Sequence, residues 1–470
     1  MAQTGQITDM EKKQRGSVTP TLVLAAVASS LGGLLFGFDT AVISGTTNTV
    51  QGLFNLSSTA LGFFVSSALI GTILGSFCFT RLGDRIGRRE LLKILALLFF
   101  VSAVGCGIAW DYVSLTIFRF IGGLGIGGAS VFGPMYVSEI SPARYRGRLV
   151  LLFQYNVCVG ILVAYLSNYL VHCAGLDPMK MEWRVMFSVE AVPAFLFGAV
   201  LFLIPESPRW FVSKGRTAEA AEVLRKVGEI DIEGELAAIE ASYTLQKSQP
   251  NVPLFQKKYL YSILLGFGVA AFNQLSFVNG YLYYLNDTFN MVGAKLGGDL
   301  QPVISGAAFV VACTVSLFVI DKFGRKTMLL IGSWGAGLPL LLAAYIGATH
   351  KLVELFPCAI VLFIIFFSFS QGAVIWVYVS EVFPNLVRAK GQALGSFTHW
   401  GLCAVAAQLY PMIVGFKPGD VVPGAYPRLA IPFLFGGIAM IVQYFVVKKW
   451  FIETKGVPLE EIEKKLHISD

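Results

Sequence analysis

Charge is what this chain has least of. Only 14% of its 470 residues are Asp, Glu, Lys or Arg, about half the share of an ordinary soluble domain. A water-soluble globule of this length needs a charged skin, and so few groups do not make one. Histidine occurs four times. The seven cysteines form no Cys-x-x-Cys pair and lie mostly inside apolar runs, as small buried thiols do. No metal-binding spacing and no nucleophile–base constellation stands out, so neither a cofactor nor a metal is expected and an enzyme is disfavoured. The first 18 residues are polar, with Lys12, Lys13 and Arg15. No cleavable signal peptide is evident, because the apolar run that follows is too long for one.

Apolar residues fill the space that charge leaves. They make up 55% of the chain, with 38 Phe and 49 Gly, and mean hydropathy is +0.68. Lipid, rather than water, is the solvent such a composition suits. Twelve runs of the length needed to cross a bilayer centre on residues 19–46, 58–80, 91–109, 112–137, 149–173, 185–204, 259–285, 300–320, 327–347, 353–379, 391–414 and 428–451. The expected fold is therefore an all-α membrane protein with twelve transmembrane helices in two six-helix halves. The expected organisation is a tail over 1–18, a first half over 19–204, a polar helical linker over 205–258, a second half over 259–451 and a tail over 452–470. Net charge is +7, but the basic residues stand in short clusters between runs, which argues against nucleic acid. Arg81, Arg85, Arg88 and Arg89 follow span 2, and Arg144, Arg146 and Arg148 follow span 4. The intervening loops are poorer in Lys and Arg, which places both termini and the linker in the cytoplasm.

The chain repeats itself. Asp84-Arg85-Ile86-Gly87-Arg88-Arg89 returns as Asp321-Lys322-Phe323-Gly324-Arg325-Lys326, and Glu139 with Arg146 returns as Glu381 with Arg388. Glu206 is echoed by Glu453. The offsets are 237, 242 and 247, which describes a parallel duplication of six spans. Secondary transporters are built this way, with the substrate held between the halves. The repeated acids are not explained by topology, since acids contribute little to orientation. Asp84, Arg88, Glu139, Arg146, Glu206, Asp321, Arg325, Glu381, Arg388 and Glu453 are read as a cytoplasmic gate, with ion pairs across the halves holding that side shut. The Gly122–Gly128 run resembles a nucleotide loop only on paper. It lies in an apolar span with no preceding strand and reads as close helix packing.

RLGDRIGRR, PMYVSEISPARYRG, PESPRW, DKFGRK, VSEVFPNLVRAKG and ETKG, in that order, resemble the sugar porter family of the major facilitator superfamily. The resemblance covers about Gly32 to Gly456. It implies transport of a monosaccharide, a hexose or a pentose, by alternating access in a cell (inner) membrane, with no partner chain.

Asp39 and Arg119 lie deep in spans 1 and 4, where a charge costs at least ~2.5–3.5 kcal/mol and needs a partner or a wet cavity. Glu190 is the other acid of the first six spans and falls nearer the outer end. Asp39 and Arg119 are therefore paired here and read as a proton-coupling site, because a carboxylate beside an Arg titrates when the Arg moves away. The resemblance adds that proton-coupled members carry Asp at this position, whereas facilitative members usually carry Asn. A sugar needs directional hydrogen bonds and a flat apolar face, which amides and Trp supply without charge. Gln154, Gln274, Asn279, Trp376 and Trp400 match the family's sugar site, with Asn273 where the family has Gln and His399 where it has Asn or Gln. Tyr283 and Tyr284 match its outer gate. Three departures stand out. Asn273 replaces a Gln, Phe277 replaces a Gly and is expected to fill the cavity wall, and span 10 lacks both family prolines around Gly372. The leading function is proton–sugar symport by a monomer; a facilitative uniporter and a transporter-like sensor are the alternatives.

Overall fold

The computed structural model describes residues 19–248, 252–293, 300–384, 386–417, 427–455, 457 and 466. Every backbone group in a bilayer must be satisfied within the segment, so the apolar runs fold as helices. Ten helices among the described residues are long and apolar enough to cross a membrane. Leu300–Phe323, with a shorter apolar part, and Arg388–Val414 supply spans 8 and 11 of the twelve. Local sequence sets where helices start. Thr19 caps Pro20–Val42, Ser57 caps Ser58–Ile86, and Asp111 forms a capping box with Ser114 ahead of Tyr112–Ile140. Large apolar side chains such as Phe195, Phe202 and Phe318 stay exposed on the outer surface of the spans, as lipid-facing groups do.

Glycines let the helices touch. Gly123 and Gly127 of span 4 lie against the carbonyl oxygens of Ala68 and Thr72 on span 2, where an added Cβ would sit 1.9 and 2.1 Å away. The Gly122–Gly128 run is a packing surface. Two spans are interrupted. Span 7 stops at Leu275, passes through Phe277 at φ 61°, and resumes as Val278–Tyr283 and Leu285–Val292. A bulky residue in the left-handed region costs of order 1–3 kcal/mol. Span 10 runs Phe356–Phe367, takes a π turn over Ser368–Gly372 and continues as Ala373–Glu381. A π bulge ending at Gly372 interrupts the helix where prolines are missing.

The linker forms three helices, Pro208–Ser213, Thr217–Lys226 and Ile232–Ser248. The Thr19 hydroxyl donates to the Lys226 carbonyl, so the first span starts on the linker's side of the molecule, here called the linker face. The apolar core is not uniform through the membrane. Toward the linker face it is split in two, one cluster around Leu95, Phe132 and Phe197 in the first half, another around Leu265, Ile375 and Val379 in the second. Toward the opposite, far face a single cluster joins both halves, from Phe38 and Val157 to Tyr283, Trp400 and Tyr410. The halves are closed on each other at the far face.

Candidate functional site

Asp39, Arg119 and Glu190 are each about 2% exposed or less. They come from span 1, span 4 and the turn between Trp183–Ser188 and Ala191–Val200. Arg119 Nη1 forms an ion pair with Asp39 Oδ1, and Nη2 donates to the Asp39 carbonyl at 3.3 Å. Glu190 lies beside the pair, and Asp39 Oδ2 and Glu190 Oε1 are both buried with no hydrogen-bond donor. A proton added to either acid supplies a donor that the cluster lacks. It also cancels the excess negative charge of two acids around one Arg. Sequence reasoning paired Asp39 with Arg119 and left Glu190 out, because linear depth along span 6 does not reveal a side chain reaching inward.

A cavity of about 10 Å³, room for about one water, lies beside this pair and is lined by Asp39, Arg119, Thr72, Tyr283 and Trp400 among others. Tyr283 and Trp400 belong to the second half, so the acid of one half and aromatic residues of the other share one wall. Phe36 of span 1 packs on Trp400 with ring centroids 5.5 Å apart.

The amides of span 7 form a connected buried network. Gln274 Nε2 donates to Asn273 Oδ1 at 2.9 Å, and Asn279 Nδ2 donates to Gln274 Oε1 at 3.0 Å. His399 lies 3.3 Å from Gln274 Nε2, between the rings of Trp376 and Trp400 at 5.1 and 4.8 Å. Asn273 Nδ2 donates to the Gln371 carbonyl at 3.4 Å. The helix break brings Gln274 and Asn279 into contact, which an unbroken helix would hold well apart around the axis. Trp376 is 37% exposed, with an open face, while Trp400 is buried. Gln154 is half-buried on span 5 and stands apart from this network. Phe277 and Gln274 share the wall of one crevice. The Phe277 ring packs on Phe435 and Tyr281 at 5.6 and 6.4 Å and borders this apolar crevice, which opens past the exposed Val405, Leu409 and Phe435. The sequence reading also missed Gln371 and Gln443, whose side chains meet at 2.5 Å. A buried amide inside an apolar run is the signal that was there to use.

Tyr283 meets Cys403 at 3.8 Å, and Tyr284 donates to the Ala407 carbonyl at 3.2 Å and stacks on Tyr410. Around them the far face is sealed by hydrogen bonds between the halves. Thr47 donates to Asp287 at 2.5 Å, Tyr165 to the Leu282 carbonyl at 3.1 Å and Ser58 to the Phe416 carbonyl at 2.6 Å.

Among the described residues, the ion pairs of the repeated charges on the linker face close within each half, and the two copies use the same residue positions. Arg88 pairs with Glu139 at 3.1 Å and Arg325 with Glu381 at 3.0 Å. Glu139 accepts from Ser207 Oγ, and Glu381 from Thr454 Oγ1 at 2.6 Å. Glu206 accepts the backbone N–H groups of Arg88 and Arg89, and Glu453 those of Arg325 and Lys326. These carboxylates cap the helices that start at Arg88 and Arg325, where the dipole favours negative charge. Gly87 at φ 106° and Gly324 at φ 87° precede those helices, and a Cβ on either would strike the capping carboxylate, which explains the repeated glycine. Burial pushes the Glu206 carboxyl up from its usual range, and its backbone N–H partners act against that. Asp84 joins Arg88 at 3.0 Å; the side chain of Asp321 lies outside the described residues. Arg146 reaches Glu235 of the linker at 3.9 Å, and Arg388 the Phe383 carbonyl at 3.3 Å. These sets sit where the apolar core is split into one cluster per half.

Residues 24–466 match the family described as "Sugar (and other) transporter". The chain is 34% identical to the D-xylose-proton symporter of Escherichia coli (strain K12), over 93% of this chain and 94% of that protein. It is 33% identical to the arabinose-proton symporter of Bacillus subtilis (strain 168), over 94% of each. The inward open conformation of the xylose transporter XylE from E. coli superimposes with a TM-score of 0.81 at 30% identity, covering 94% of this chain and 99% of that one.

Proposed function

The chain belongs to the sugar porters of the major facilitator superfamily, and from that premise we propose that it imports a monosaccharide, a pentose or hexose, together with a proton. The observation that carries this reading is the buried Asp39–Arg119–Glu190 cluster with two carboxylate oxygens awaiting one proton. A proton bound there neutralises the acids and frees Arg119 from one of two counter-charges. Sugar is held by Gln274, Asn273, Asn279 and His399 against Trp376 and Trp400, with Gln154 contributed by the first half. Tyr283 and Trp400, at the edge of that site, also wall the cavity beside Asp39, so a sugar shifting them changes the acid's surroundings. That shared wall is the physical route for coupling.

Transport proceeds by rocking the halves. Tyr283 and Tyr284 close the outer side in the present state, and the far face is the outer one. The linker and both termini lie in the cytoplasm, in the cell (inner) membrane of a bacterium, and one chain suffices for the cycle. The mirrored carboxylate sets brace each half as a rigid body here and exchange partners across the halves when the cytoplasmic side shuts. Exposed pairs are worth ~0–1 kcal/mol each, but several together shift two states by a few kcal/mol. The relatives named for D-xylose and arabinose favour a pentose. Uptake of a panel of labelled pentoses and hexoses by proteoliposomes, with and without an imposed pH gradient, tests this. Accumulation only with the gradient supports symport; equal counterflow with no proton movement favours a uniporter.

A further inference from the structure

We propose that Cys158 and Cys313 form an oxidisable thiol pair that, when joined, locks the two halves in the far-face-closed state. Cys158 stands midway along span 5, Ala143–Cys173, and Cys313 midway along span 8, Leu300–Phe323. They belong to different halves. Both are buried and both are free thiols, and the register of the two spans brings them to one seam: Gly306 of span 8 packs against Tyr165 of span 5, and Cys313 and Cys158 each lie seven residues, two turns on the same face, from that contact toward the linker face.

The backbone around them is close enough for a bond. One to two turns toward the far face, a Cβ added to Gly306 of span 8 would lie 3.0 Å from the Leu162 Cα and 3.1 Å from the Tyr165 ring of span 5. Tyr165 itself donates across the seam to the Leu282 carbonyl. Helices in backbone contact bring facing Cα atoms into the range a disulfide requires, about 4.4–6.8 Å. None of the residues assigned to sugar, proton or the tyrosine gate is involved.

Oxidation removes two electrons and two protons from the thiols and forms one S–S bond. A membrane-soluble quinone accepts both electrons and both protons and becomes the hydroquinone, so the step balances with one molecule of oxidant. Water-borne glutathione acts poorly at this depth, whereas a lipid-dissolved oxidant reaches the seam from the bilayer. The exchange chemistry then makes the bond reversible by a small dithiol. Opening the far face pulls spans 5 and 8 apart, and a covalent bond across the seam forbids it.

The test uses the full chain in proteoliposomes, treated with duroquinone and, in a parallel sample, with diamide. Thiols titratable after denaturation should fall from seven to five, with a Cys158–Cys313 cross-linked peptide recovered from the monomer. Sugar uptake should be lost in proportion to the oxidised fraction and return with dithiothreitol. Cys158→Ala and Cys313→Ala should transport normally before and after oxidant. The lock rests on the alternating-access reading; the thiol count does not, so the two fail separately. Absence of the cross-link with both oxidants overturns the proposal. So does undiminished uptake by the cross-linked protein, or equal loss of uptake in the alanine variants.

Discussion

Asp39 Oδ2 and Glu190 Oε1, two buried carboxylate oxygens carried by spans 1 and 6, both lack a hydrogen-bond donor although Glu190 lies beside Asp39. A proton on either acid supplies a missing donor, and Arg119 is the positive charge paired with Asp39 in that cluster. If the proton sits between these oxygens, Glu190→Gln provides a permanent amide N–H in its place. Uptake by Glu190→Gln should then depend less steeply on external pH than that of the unaltered chain. Initial rates measured across the pH range check this, and an unchanged profile would remove Glu190 from the site.

Gln274 joins Asn273, Asn279 and His399 in one network. If Gln274 binds sugar as proposed, Gln274→Ala removes those bonds and leaves its neighbours Asn273 and Asn279 unsatisfied. A lost hydrogen bond with an orphaned partner costs about 1–3 kcal/mol, so apparent sugar KM should rise roughly tenfold. Concentration series of sugar uptake read this directly. Trp376→Phe should cost less, since it keeps the apolar face and loses one N–H.

Gly127 packs on the Thr72 carbonyl with no room for a side chain. Gly127→Val should force spans 2 and 4 apart, at a cost of about 1–3 kcal/mol or more. A lower melting temperature in detergent is the expected outcome, and wild-type stability would mean the crossing is looser than it appears.

Asp287 sits on the helix Leu285–Val292, beyond the crossing part of span 7, and accepts the Thr47 hydroxyl across the halves. Burial raises its carboxyl from 3.8 to about 7 in this closed state. When the far face opens, water returns it toward the ordinary range. The closed state therefore binds the extra proton. Its advantage is full below the ordinary carboxylate range and is lost as pH rises through about 7. The far face should stay closed more of the time at roughly pH 5.5 than at roughly pH 8.5, and Asp287→Asn should flatten that difference. Distances between spin labels on the far-face ends of the two halves, measured at both pH values, decide it.

Much of this architecture is readable in the residues, because lipid forces a simple rule on them. Apolar length fixes the spans, and duplicated loops fix the halves. The repeat of Asp84–Arg89 as Asp321–Lys326 reappears as two superimposable clamps, down to the glycines that make room for Glu206 and Glu453. Asp39 and Arg119 are readable as partners because charge at depth has so few alternatives. What is not readable depends on the direction a side chain takes. Glu190 lies at the edge of its run yet turns toward Asp39, and Phe277 packs on Phe435 while bordering the same crevice as Gln274. The Gln371–Gln443 contact and the packing of Gly306 on Tyr165 join spans distant in sequence, with no spacing rule to announce them.

The central claim is that the carboxyl of Asp39 carries the proton that drives sugar uptake. Proteoliposomes bearing Asp39→Asn, given a labelled transported sugar and an imposed pH gradient, test it most directly. Sugar should still equilibrate down its own gradient, with no accumulation against it and no proton entry in response to sugar. Accumulation and sugar-linked proton entry equal to those of the unaltered chain would contradict the claim.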